Sequence, residues 1–84
     1  MMIRTVLEID GMMCGMCEAH INDAVRREFK VKKVTSSHKK GITEIISEQA
    51  PDKERLTAII TELGYKLNGI SDEEYKKKGF FSRK

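Results

Sequence analysis

The hydrophobic period of this chain alternates between two residues and the 3.6 of a helix, in an order that admits few folds. Met2 to Asp10 alternates, with Ile3, Leu7 and Ile9 on one side and Arg4 and Glu8 on the other, which predicts a half-buried strand. Ile21, Ala24, Val25 and Phe29 then recur at helical spacing, with Glu18, Asn22, Arg26 and Lys30 on the opposite side. A helix from Cys14 or Cys17 to Phe29 is predicted. Val31 to His38, rich in Val, Thr and Ser, reads as a strand, Lys39-Lys40-Gly41 as a hairpin turn, and Ile42 to Glu48 as a β-branched strand. The register of that strand stays open, because Ile45 and Ile46 are both apolar and Glu44 interrupts one face. Pro51 is placed in the first turn of a second helix, with Asp52 and Glu54 at its positive end. Leu56, Ile59, Ile60 and Leu63 form its apolar stripe, Gly64 its C-cap, and Tyr65 to Ile70 a last short strand.

The order β-α-β-β-α-β predicts an α+β fold, a ferredoxin-like sandwich with two helices on one face of a four-stranded antiparallel sheet. Residues 1–71 form the domain. Asp72 to Lys84 lacks a sustained apolar period and is read as a charged tail, with a helical turn over Asp72 to Lys78 followed by Gly79 and Phe80-Phe81. Because elements alternate in direction, the first, third and fifth connections share one end. Those are the loop Gly11 to Cys17, the turn Lys39-Lys40-Gly41 and the junction Gly64-Tyr65.

The chemistry is concentrated in the first of these, Gly11-Met12-Met13-Cys14-Gly15-Met16-Cys17, which holds both cysteines of the chain. Two sulfurs at Cys-x-x-Cys spacing can close on one soft metal ion or on each other. A helix N-terminus stabilises anions, so thiolates are favoured there over thiols. Gly11 and Gly15 keep the loop backbone open. No apolar run approaches the roughly 18 residues of a membrane span, and the N-terminus has no signal-peptide layout. A cytoplasmic location and no membrane insertion are therefore expected, and in a reducing compartment the pair points to metal binding or redox chemistry rather than a structural disulfide. The net charge of +3 leaves the body nearly neutral, since Asp72 to Lys84 carries five bases and three acids. That argues against a nucleic-acid binder, which needs a basic face.

Soft thiolates at Cys14 and Cys17 select Cu(I), and two ligands with an open side suit an ion content with low coordination. Zinc prefers four ligands in closed sites, and the chain has no second cysteine pair. Zn(II), Cd(II) and Hg(II) remain chemically compatible. Met12 is read as a core plug that anchors the loop rather than a thioether ligand, and Met13 and Met16 as outward-facing. His20 is expected to be a solvated helix histidine rather than a third ligand, and His38, beside the turn at the same end, is not expected to be a ligand. Lys39 and Lys40 are placed at the same end, where they would favour thiolates at long range or contact an acidic partner. Tyr65 is expected to pack beside the loop and shield it.

Gly11-Met12-x-Cys14-x-x-Cys17, the strand before it, the helix after it and Leu63-Gly64-Tyr65 opening the last strand resemble the heavy-metal-associated domain family. These are small copper chaperones and the soluble metal-binding domains of copper-transporting P-type ATPases. The resemblance covers residues 2–71. It implies the βαββαβ fold, Cu(I) on Cys14 and Cys17, and thiolate exchange with a partner such as a P-type ATPase or a similar Cys-x-x-Cys domain. It further implies a chain that is monomeric when apo, with a metal-bridged dimer as a second form. Ser36 and His38 depart from the pattern, at positions where apolar residues are expected. The reading is of a binding protein with no catalytic residues. The alternatives are a thiol–disulfide oxidoreductase using the same pair, and a Zn, Cd or Hg domain of a transport or detoxification system.

Overall fold

The structure, a computed structural model, describes residues 2–13 and 15–75. Cys14, Lys76-Lys77-Lys78 and Phe80-Phe81 lie outside the described residues. The elements are β1 (Met2–Asp10), α1 (Gly15–Glu28), β2 (Lys33–Ser37), β3 (Ile42–Ser47), α2 (Lys53–Glu62) and β4 (Lys66–Tyr75). The strands form one antiparallel sheet in the order β2-β3-β1-β4. This is the ferredoxin-like arrangement expected. Thr5, Leu7 and Ile9 of β1, Val34 of β2 and Thr43 and Ile45 of β3 are buried. Leu7, Ile9, Val34 and Ile45 pack in one cluster with Ile21 and Val25 of α1 and Leu56 and Ile60 of α2. Removing these side chains from water is the main stabilising contribution, at about 1.5–3 kcal/mol per large aliphatic.

The open register of β3 has a two-sided answer. Thr43, Ile45 and Ser47 face the helices, while Ile46 pairs with Arg4 on the other side of the sheet and is still largely covered. On that outer side Arg4 bridges Glu44 and Glu73, one on each neighbouring strand. The unexpected Ser36 is accounted for by a polar network. Its hydroxyl donates to Asn22 Oδ1 of α1 at 2.7 Å and lies 2.8 Å from Thr43 Oγ1. A half-buried polar group with such partners escapes the penalty of an unpaired one.

Four expectations need correction. β2 covers Lys33–Ser37, so His38 belongs to the turn and not to the strand. β3 ends at Ser47, with Glu48 outside it. Pro51 precedes α2 instead of entering it, because Asp52 is the N-cap and its side chain accepts from Glu54 N–H at 3.0 Å. The larger difference concerns the last strand. The helical turn expected from Asp72 is extended strand as far as Tyr75. Residues Ser71 to Tyr75 pair with Val6 to Met2, which fills the edge of β1 that β3 leaves open. Asp72 Oδ1 accepts from the buried Thr5 hydroxyl at 2.9 Å, and Asp72 Oδ2 lies 3.6 Å from Lys53 Nζ of α2. An edge strand need not alternate apolar and polar residues, so periodicity did not reveal it.

Candidate functional site

β1 delivers the chain to one end of the molecule. A bulge displaces the β1–β4 register between Glu8 and Ile9, just before the Cys loop. Gly11 follows with φ +102°, a conformation costly for any residue with a Cβ. A methyl group placed there would lie 3.4 Å from Tyr65 Cδ1, so the loop and the α2–β4 junction are in close approach. Tyr65 is half-buried and packs against the core. That junction is held by a Schellman motif in which Tyr65 N–H bonds Ile60 C=O at 3.1 Å and Gly64 N–H bonds Thr61 C=O at 3.0 Å, with Gly64 at φ +95°.

Met12 is 6% exposed and belongs to the core cluster, so it plugs the base of the loop. Met13 and Met16 are 78% and 68% exposed and stand outward. α1 begins at Gly15, which puts Cys17 in its first turn, half-buried against the core. The site as described thus has one sulfur whose base is packed on the core, at the positive end of a fourteen-residue helix. His20 is exposed on α1. Among the described residues no three His, Cys, Asp or Glu side chains are grouped to hold a metal ion.

The β2–β3 turn comes to the same end. Gly41, at φ +68°, accepts from Ile9 N–H at 2.8 Å through its carbonyl and donates to Ser37 C=O at 2.8 Å. A Cβ on Gly41 would meet Ile9 O at 3.1 Å, so the turn sits tightly on the end of β1. Lys39 and Lys40 are exposed. His38 is not left to solvent. Glu18 Oε2 accepts from His38 N–H at 2.8 Å and lies 2.7 Å from His38 Nδ1. The His38 backbone bond, followed by the His38 ring, holds the Glu18 carboxyl below the usual carboxylate range. Sequence reading placed Glu18 on the solvent side of α1 and missed this contact. Nothing local in the sequence signals it, because a charged residue in a first helical turn looks solvated until the fold brings an N–H to it.

The three connections expected together are therefore together: the loop touches Tyr65 at one side and the Lys39-Lys40 turn docks on the strand that leads into it. No helix among the described residues is long and apolar enough to cross a membrane.

No family-wide sequence model matches the chain. It is 34% identical over 62 residues to the mercuric reductase of Serratia marcescens and 32% identical over 62 residues to that of Shigella flexneri. Each match takes in 74% of this chain but only 14% and 11% of those longer proteins. Among solved structures, the CopZ metallochaperone superposes with a TM-score of 0.69 at 18% identity, over 77% of this chain and 98% of its own. A copper-ion-binding candidate from Bacillus anthracis str. Ames gives 0.70 at 25% identity, over 81% and 97%. The N-terminal domain of ZntA in its Zn(II) form gives 0.70 at 20% identity, over 88% and 96%.

Proposed function

Since the chain belongs to the heavy-metal-associated domain family, we propose that it carries a soft metal ion, Cu(I), on Cys14 and Cys17 and passes it to a partner domain by thiolate exchange. The observation that carries this reading is the position of Cys17, in the first turn of α1 with its base on the core, three residues after Cys14 in the sequence. That position favours a thiolate and fixes the sulfur relative to the fold. A soft d¹⁰ ion prefers two such ligands to oxygen or to water. The ion is cargo here, so the site has to release it as well as hold it. An open side lets an incoming thiolate bind before an outgoing one leaves, which avoids dissociation into water. Exposed Met13 and Met16 offer a soft apolar contact, and exposed Lys39 and Lys40 offer positive charge to an acidic partner face.

The partner suited to this exchange is a Cys-x-x-Cys domain of a metal transporter such as a P-type ATPase, met in the cytoplasm. The chemistry is binding and transfer with no catalysed bond change. Zn(II) and Hg(II) are the competing cargoes, supported by the Zn(II)-form domain and the mercuric reductases among the similar proteins. The test is anaerobic titration against a Cu(I) chelator, repeated with Zn(II) and Hg(II). Cys14→Ser and Cys17→Ser should each lower Cu(I) affinity by more than about a hundredfold, or roughly 2.7 kcal/mol. Unchanged affinity in both variants would sink the assignment.

A further inference from the structure

The turn from His38 to Gly41 is held at both of its flanks, and the two holding residues bracket the Cys loop. Ile9, on β1 just before the loop, donates its N–H to Gly41 C=O at 2.8 Å. Glu18, on α1 immediately after Cys17, accepts from His38 N–H at 2.8 Å and meets the His38 ring at 2.7 Å. Within the turn, Lys40 N–H donates to Ser37 Oγ at 3.3 Å and Gly41 N–H to Ser37 C=O at 2.8 Å. Lys39 and Lys40 are the two residues between the anchors, and both are exposed.

We propose that Glu18 and His38 are positioning residues, a strap that fixes the Lys39-Lys40 pair relative to the Cys loop so that an acidic partner meets charge and sulfur in one geometry. This rests on the transfer reading above. A two-residue lysine tip on an unstrapped hairpin would sample many positions, and ordering it at the moment of docking would cost conformational entropy. The strap makes that ordering part of folding. His38 uses its backbone N–H as well as its ring, so the contact survives in part when the ring is removed.

The probe is a synthetic Cys-x-x-Cys peptide flanked by glutamates, with a glutamine-flanked version as reference, titrated into the apo protein at low salt and followed by amide chemical shifts. The wild-type chain should bind the acidic peptide at least about tenfold more tightly than the neutral one, with Lys39 and Lys40 among the shifted amides. Glu18→Ala should reduce that ratio by about threefold to tenfold and speed hydrogen exchange at the His38 amide. Glu18→Gln, which keeps a neutral acceptor, should recover part of both. Melting curves and the shifts of buried Ile21 and Val25 check that each variant is folded. An unchanged acidic-to-neutral ratio in folded Glu18→Ala, or an unchanged His38 amide, would overturn the strap. A chain that fails to bind Cu(I) would instead overturn the cargo reading, and the metal-free titration would still decide the strap.

Discussion

At the residue scale, the groups proposed to touch the ion are distinct from those that hold the loop. His20 is three residues after Cys17 but exposed, so its ring has no structural reason to face the site. His20→Ala should leave Cu(I) affinity within about tenfold, or about 1.4 kcal/mol. A larger loss, measured by chelator competition, would make it a ligand. Gly11 works through its backbone. At φ +102° any side chain is strained, although its Cβ would make only ordinary contact with Tyr65. Gly11→Ala should destabilise the fold by about 1–2 kcal/mol in chemical denaturation. The role of Met12 was legible from sequence, because an unbranched apolar side chain at the base of the loop suits a core gap, and it is the one loop methionine that is buried. Glu18 was not legible. A charged residue on a helix surface looks solvated until the fold brings an N–H to it, and nothing local in the sequence encodes that distance.

At the element scale the β2–β3 turn and the first turn of α1 act as one unit. Glu18 is held below the usual carboxylate range by His38, so its bonds stabilise the folded state while it is ionised in both states. In the unfolded chain it takes up a proton near pH 4.3. Stability should therefore fall as pH drops below about 4.3 and through the lowered folded value. Glu18→Gln should flatten that part of the pH–stability curve, and a slope identical to wild type would contradict the contact. Lys39→Glu with Lys40→Glu should slow transfer to an acidic domain while leaving Cu(I) affinity nearly unchanged, because such charges act on encounter and are screened by salt. Rates compared at low and high ionic strength decide this. The helices and the first strand were readable from their periods. β4 was readable only to Ile70, because beyond it the strand is specified by pairing with β1 and by the Thr5, Lys53 and Arg4 contacts of Asp72 and Glu73.

At the scale of the whole molecule, topology collects three connections at one end, the end proposed to carry and pass on the ion. The sheet extends to Tyr75, which redraws the segment that the core depends on. A chain truncated after Ser71 would leave the fully buried Thr5 hydroxyl without its acceptor and Met2 to Thr5 without their ladder partners. It should lose about 1–3 kcal/mol of stability for the orphaned hydroxyl alone. Truncation after Tyr75 removes none of these contacts and should match the full chain in melting temperature. Equal stability of both truncations would show that the outer part of β4 contributes nothing. If the two cysteines together hold the cargo, X-ray absorption on the Cu(I)-loaded protein will see them. The expected spectrum shows a copper shell made of sulfur alone, filled at a single Cu(I) per chain and absent from the Cys14→Ser Cys17→Ser double variant. A shell dominated by nitrogen or oxygen, or an unaltered spectrum in the double variant, would contradict it.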